Sequence, residues 1–193
     1  RTPAFYAEQD IEALKNRRIT SFDPKKKLAH TEEGKEFDYD FCLLATGGVP
    51  NMVDVPGADL ENVFTLRFFR DAKNIVSQIE KGAERILIVG AGFIGMEAAS
   101  SLRQRNLDVH VAAPEQIPLE KQLGPRVGSR IFRLHKTNGV VYHPGSTVEI
   151  FRGDKQVQEV LLSDGSRVPA DLVIVGTGIT PAVSYLDGTG MVK

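Results

Sequence analysis

Across residues 1–48 the apolar and polar positions alternate in short stretches. Thr20, Phe22 and the apolar positions near Leu28 carry the pattern. Period-2 alternation predicts strands, and Asp23-Pro24 and Glu33-Gly34 supply turns between them. The segment 37–45 ends in an unbroken apolar run, Phe41-Cys42-Leu43-Leu44-Ala45, before Thr46-Gly47-Gly48. Such a run is expected of a strand covered on both faces. Pro50, Pro56 and Gly57 mark residues 49–60 as a connection. Residues 66–79 predict a helix with Asp71 as its cap and with Ile75, Val76 and Ile79 along one face.

The pattern is sharpest in the middle of the chain. An apolar strand at 86–89 precedes a helix at 94–105, with Met96, Ala99, Ser100 and Leu102 toward a sheet and Arg103, Gln104 and Arg105 toward water. Asn106 ends that helix, and a second strand starts at Asp108. Strand, helix and strand within ~30 residues make a βαβ unit with a right-handed crossover. A further helix is expected at 127–136, stopping near Asn138-Gly139. Strand-like pieces follow at 140–143, 147–151, 157–162 and 172–175, with Asp164-Gly165 as a hairpin turn. The expected class is α/β: a parallel sheet with helices, plus a β-meander.

Composition narrows the function classes. Basic and acidic residues number 24 and 25, so no charge excess points to nucleic acid or an anionic membrane surface. No apolar run approaches the ~20 residues of a membrane span. One cysteine, Cys42, excludes a disulfide or dithiol pair within the chain, and its apolar neighbours predict an inert core residue. His30, His110, His135 and His143 lack metal-ligand spacing. No Ser-His-Asp arrangement or carboxylate pair calls for acid–base chemistry. No targeting segment is visible, and the compartment stays open between cytoplasmic and mitochondrial settings, with a reducing one favoured by cysteine usage.

The chemistry concentrates in Gly90-Ala91-Gly92-Phe93-Ile94-Gly95-Met96-Glu97, placed between the strand at 86–89 and the following helix. This is G-x-G-x-x-G in the strand–turn–helix context that a dinucleotide site requires. Gly90 permits the tight turn, Gly92 lets backbone N–H groups approach a pyrophosphate, and Gly95 lets the helix pack on the strand. The phosphates meet the positive end of the helix.

Further motifs keep a fixed order around that turn. They are Tyr39-Asp40 leading to Leu43-Leu44-Ala45-Thr46-Gly47, then Pro56-Gly57-Ala58-Asp59-Leu60-Glu61-Asn62-Val63, Leu66-Arg67 with Asp71-Ala72, and Val175-Gly176-Thr177-Gly178-Ile179-Thr180-Pro181. With them the chain resembles the pyridine-nucleotide-linked flavoprotein reductases of the two-Rossmann type, in the apoptosis-inducing factor-like and ferredoxin/rubredoxin reductase branch. The resemblance implies a Rossmann-like FAD/NAD(P)-binding fold. It assigns residues 1–60 to a partial FAD-binding domain and linker, and 61–193 to an NAD(P)H-binding domain. Family members carry another G-x-G-x-x-G upstream and a G-D element downstream, so this stretch alone is not expected to bind FAD tightly or to turn over.

The resemblance also implies roles. Backbone at Gly90, Gly92, Phe93, Ile94 and Gly95 holds the cofactor pyrophosphate. Glu97 either orients the nicotinamide carboxamide or merely complements the helix dipole. Gly176, Thr177 and Gly178 pass close to the nicotinamide, while Thr46 and Gly47 lie on the flavin side. The acid expected ~20 residues after the turn, for the ribose 2′-hydroxyl, is missing. Ala113 occupies its place. Glu115 reaches the ribose if its loop folds back and is otherwise a solvated acid. Lys121 meets a 2′-phosphate or faces solvent. Cofactor choice stays open between NADH and NADPH, leaning to NADH. The implied activity passes hydride from NAD(P)H to FAD and electrons on to an acceptor such as a ferredoxin-type iron–sulfur protein, with no catalytic acid, base or nucleophile from this chain. The other implied reading is an apoptosis-inducing factor-like module in which NADH binding switches conformation or partner.

Overall fold

The computed structural model describes residues 1–191, which fall into two compact units. The smaller comprises Arg1–Gly47 with the segment from Pro181 onward, and the larger is Gly48–Thr180.

The smaller unit starts with helix α1 (Pro3–Glu8), in which Thr2 Oγ1 accepts from the Phe5 N–H and Pro3 stands in the first turn. Period-2 alternation does not foreshadow this helix. Its signal is a threonine cap followed by proline. Strands β1 (Ile19–Asp23), β2 (Leu28–Thr31) and β3 (Glu36–Asp38) then form an antiparallel sheet, as the alternation predicts. The Asp23 carboxylate accepts from the N–H groups of Lys25 and Lys26 and closes the β1–β2 turn. Phe22, Ala29 and Leu186 form a small core.

The apolar run at 41–45 departs from expectation. It is not a strand, Phe41 and Leu43 are 96% and 91% exposed, and Cys42 is exposed as well. A strand with an unbroken apolar run needs a sheet to sit in and elements packed on both of its faces. No described strand pairs with this run. Cys42 is thus exposed among the described residues, where its apolar neighbours predict a core residue.

In the larger unit β4 (Gly48–Pro50) is followed by β5 (Val63–Thr65) and α2 (Phe69–Glu80). Asp71 is not the N-cap residue itself, which is Phe68; it is the third helical residue, and its Oδ2 reaches back to accept from the N–H groups of Phe68 at 2.8 Å and Arg67 at 3.0 Å. The βαβ unit is β6 (Arg85–Val89), α3 (Phe93–Arg103) and β7 (Asp108–Ala113). Helix α4 (Glu120–Thr137) leads to β8 (Val141–Pro144). Strands β9 (Val148–Arg152), β10 (Glu159–Leu162) and β11 (Arg167–Pro169) make an antiparallel meander, with Gly165 at φ +82° in the expected hairpin turn. Strand β12 (Leu172–Val175) returns to the parallel sheet, whose order is β5-β12-β6-β7-β8. The last strand, β13 (Ile179–Pro181), pairs with β4.

The central strands explain their unbroken apolar runs, because both faces of the sheet are covered. Ile86, Ile88, Leu172 and Ile174 pack with Met96, Ala99 and Leu102 of α3. Leu87, Val89, Val173 and Val175 pack against Val160, Leu162 and Val168 of the meander. Each such fully buried side chain contributes about 1.5–3 kcal/mol by leaving water.

Three details differ from the sequence pattern. Ser100 faces water, and Ala98 takes the buried place, because the packed stripe runs Gly95, Ala98, Ala99 and Leu102. Helix α4 begins earlier than residue 127 as a short turn that breaks at Gly124, after which Pro125 opens the longer piece. The units divide at 47/48 and 180/181 rather than at 60/61. Val53, Val55, Ala58 and Leu60 pack on the larger unit's core, while Val183 and Tyr185 pack on the smaller one's.

Candidate functional site

A cleft of about 370 Å³ opens at the carboxyl end of the parallel sheet. Its floor is the turn Gly90–Ile94, and Gly176–Ile179 forms one side. Arg67 borders one end and Pro114, Glu115 and Gln122 line it as well. Ligands of open α/β sheets bind at this edge.

The three glycines of the turn do different things. Gly90 has φ +106°, and its N–H donates to Ala112 O at 2.8 Å. A Cβ there would lie 2.5 Å from the Gly176 carbonyl oxygen, so the turn closes tightly on the loop after β12. A Cβ on Gly95 would lie 2.1 Å from the Gly90 carbonyl oxygen, so α3 packs directly on the turn. Gly92 is the exception: a Cβ there meets nothing within 4 Å. The room it leaves faces the cleft, beside the first N–H groups of α3, which have no acceptor within the helix. Two glycines thus serve packing, and the middle one keeps open a cradle of backbone donors of the kind a phosphate takes.

The loop after β12 is pinned by a residue that sequence reasoning missed. Thr177 Oγ1 donates to the Asn51 carbonyl at 2.9 Å, and Thr180 Oγ1 donates to Asn51 Oδ1 at 2.7 Å. Asn51 N–H donates in turn to Gly178 O at 3.0 Å. Gly178, at φ +107°, makes the bend.

At the other end Glu115 lines the cleft, and Lys121 Nζ donates to its carboxylate at 2.7 Å. That ammonium holds the Glu115 carboxyl below the usual carboxylate range, and Glu115 raises Lys121 in return. Tyr142 Oη donates to the Glu115 carbonyl at 2.9 Å. Burial is the main cause that pushes the Tyr142 phenol up to about 12. Ala113 is 1% exposed inside β7 and is not on the cleft surface.

Of the residues singled out from sequence, Gly90, Gly92, Phe93, Ile94, Glu115, Gly176, Thr177 and Gly178 share this cleft. Gly95 supports it from behind. Lys121 touches it only through Glu115. Glu97 instead lines an adjoining cavity of about 480 Å³ between α2 and α3, with Ile75 and Arg105. Arg67 and Ile94 border both spaces. Thr46 and Gly47 belong to the smaller unit, where Thr46 Oγ1 and the Gly47 carbonyl meet the Ala182 backbone at 2.9 Å and 3.0 Å. Arg67 and Leu119 went unflagged as site residues. Only the topology reveals them: Arg67 follows β5 at the ligand edge, and Leu119, at φ +58°, donates its N–H to Ala91 O at 3.0 Å.

Among the described residues no group of three or more His, Cys, Asp or Glu is placed to hold a metal ion. No described helix is long and apolar enough to cross a membrane.

Comparison with known proteins agrees with the resemblance carried by the motifs. The family model of the pyridine nucleotide-disulphide oxidoreductases matches residues 4–192. Human apoptosis-inducing factor 3 is 32% identical over 192 residues, covering 99% of this chain and 31% of that protein. Putidaredoxin reductase CamA of Pseudomonas putida is 32% identical over 197 residues, covering 99% of this chain and 46% of that one. A crystal structure of a ferredoxin reductase from Rhodopseudomonas palustris superimposes with a TM-score of 0.91 at 30% identity, over 100% of this chain and 48% of that one. The chain therefore spans less than half the length of these relatives. With its Rossmann-like α/β fold and a family match over nearly its whole length, the chain belongs to the pyridine nucleotide-disulphide oxidoreductase family.

Proposed function

We propose that this chain is the pyridine-nucleotide-binding part of an FAD-dependent NAD(P)H oxidoreductase, which passes hydride from NAD(P)H to FAD and electrons on to a small iron–sulfur protein. The observation that carries the reading is the division of labour among Gly90, Gly92 and Gly95. Two of them close the turn, and the third leaves a donor-lined gap where a pyrophosphate fits. Arg67, which lines the same cleft, supplies a positive charge to it.

In this reading the N–H groups at Gly92, Phe93 and Ile94 hold the pyrophosphate. The pinned loop Gly176–Gly178 and the Glu97 carboxylate orient the nicotinamide ring. Thr46 and Gly47, in the smaller unit, belong to the flavin side. When bound, the two cofactors supply the hydride chemistry, and the chain's residues bind, orient and exclude water. Cys42 is the only cysteine, so no dithiol of this chain takes the electrons. The likeness to putidaredoxin reductase and to a ferredoxin reductase supports an iron–sulfur acceptor.

A second reading is supported by the likeness to apoptosis-inducing factor 3. In this reading NADH binding switches conformation or partner, and turnover is secondary. Stopped-flow reduction of the flavin in the parent protein separates the two. Fast reduction by NADH and reoxidation by an iron–sulfur acceptor at ordinary enzyme rates, about 1–10³ s⁻¹, supports the reductase. A long-lived reduced complex with slow turnover supports the switch. Absence of any NADH or NADPH binding overturns both.

A further inference from the structure

We propose that the outward face of α4, built on Arg126, Arg130 and Arg133, is a docking surface for an acidic protein partner, one that presents carboxylates a helical turn apart beside an apolar side chain. None of these residues lines the cleft or the cavity beside it, so the surface is separate from the dinucleotide site.

The charge is local and concentrated. The whole chain carries 24 basic and 25 acidic residues, yet no Asp or Glu stands between Glu120 and Glu149. That stretch holds Lys121, Arg126, Arg130, Arg133 and Lys136. Lys121 is taken by Glu115. Arg126, Arg130 and Arg133 are exposed and form no ion pair among the described residues.

The helix sets them in a row. Gly128, Ile131 and His135 take the inward side: Gly128 is buried, Ile131 packs on the core, and a His135 ring nitrogen lies 3.0 Å from the Met96 carbonyl oxygen of α3. Spacing of i, i+4 and i+7 then places Arg126, Arg130 and Arg133 along one stripe on the opposite side, about 10 Å long. Like charges at these spacings oppose the helix. The helix dipole favours cations only toward the C-terminal end, and Arg126 follows Pro125 at the start of the longer piece, where a cation is unfavourable. The row thus works against α4 itself, and carboxylates from outside offset it. Guanidinium groups take carboxylates in paired, charge-assisted hydrogen bonds.

Two features select a protein over other polyanions. Val127 and Leu134, 46% and 59% exposed, flank the row. Leu134 also borders a depression of about 220 Å³ between α3 and α4, together with Ser100 and Gln104. It has room for a partner's side chain, and an apolar anchor beside arginines is the make-up of a protein interface. Insertion into a bilayer needs apolar residues at the crest of the helix, and here arginines hold the crest. Nucleic acid phosphates would leave Leu134 and the depression unused.

The test is fluorescence anisotropy with a labelled helical peptide carrying Glu at i, i+4 and i+7 with Leu beside them, and with a scrambled peptide of the same composition. Phosphatidylserine vesicles and a short DNA duplex are the other probes. We expect the patterned peptide to bind the protein at least about tenfold more tightly than the scrambled one, with an affinity that falls as salt is added. Arg130→Glu abolishes that advantage, and Leu134→Ser lowers it by about threefold. Arg130→Gln, which only removes a charge from an exposed position, also lowers it by about threefold and stands in should charge reversal disturb the helix. Equal affinity for the two peptides, or an advantage that survives both Arg130 variants, overturns the proposal. So does binding of the vesicles or the duplex in place of the peptide, which assigns the row to a lipid surface or to nucleic acid.

Discussion

The carbonyl oxygen of Gly90 stands where a Cβ on Gly95 would come within 2.1 Å of it. Helix α3 therefore leaves the sheet at the closest approach that a glycine allows.

Gly95→Ala and Gly92→Val are expected to separate packing from binding. Gly95→Ala forces the helix away from the turn and is expected to cost about 1–3 kcal/mol, as overpacked sites do. Gly92→Val points into open space and costs the fold no more than about 1 kcal/mol, through the weaker helix cap. It removes dinucleotide binding, because the methyl groups occupy the cradle. Urea melts and calorimetry on the two variants check this. Binding of NADH by Gly92→Val with unchanged affinity contradicts the assignment.

Glu97 lines the cavity that shares Arg67 and Ile94 with the cleft. Glu97→Ala is expected to weaken NADH by about tenfold, the loss of one charge-assisted hydrogen bond. ADP-ribose affinity stays within about twofold. An equal loss for both ligands shows that Glu97 serves the helix dipole and not the nicotinamide.

Asp171 ties β12 to β6. Its carboxylate accepts from the N–H groups of Glu84 at 3.1 Å and Arg85 at 2.9 Å, and it also pairs with the Arg85 guanidinium. The guanidinium hydrogen bond is the main cause that lowers the Asp171 carboxyl to about 2 from an ordinary 3.8. A carboxyl depressed on folding contributes stability that is complete above its ordinary range and is lost as pH falls toward 2. Thermal melts from pH 5 to pH 2 are expected to show that decline. Asp171→Asn lowers stability at neutral pH by about 1–3 kcal/mol and flattens the acid limb. An acid limb as steep as wild type in Asp171→Asn counts against the role.

His110 Nδ1 and His143 Nε2 lie 2.9 Å apart on neighbouring strands β7 and β8. Asp108 approaches His110 at 3.6 Å, and Asp164 also acts on His143. Burial first, then the neighbouring His110, lowers the His143 imidazole below its ordinary range, while Asp164 opposes them. The unfolded chain thus binds the proton more readily, and stability falls as pH drops below about 6.5. His143→Gln is expected to remove this part of the pH dependence between pH 7 and pH 5 in denaturant melts. Retention of the full dependence assigns it elsewhere.

Much of the larger unit is legible in the amino-acid sequence because its signals are local. The strand before Gly90, the helix after it and the hairpin at Asp164-Gly165 each depend on residues a few positions apart. The positive φ of Gly90 and Gly165 is a property of the turn itself. The order of the motifs likewise carries the family. These features were determined by the sequence alone, since alternation, turn chemistry and helix capping act over a few residues of backbone.

Burial and assembly are not local. The run at 41–45 has the composition of a core strand, yet Phe41 and Leu43 face solvent, because burial depends on which elements pack around a segment and not on its own residues. Arg67 and Leu119 come to the cleft, and Asn51 to the loop Thr177–Gly178 beside it, from separate stretches joined by sheet order and long-range hydrogen bonds. The substitution of Ala113 for an acid is visible in the sequence. That Glu115 stands on the same wall, fixed by Tyr142 and Lys121, was decided by tertiary structure, because a loop's path is set by what its two ends are tied to.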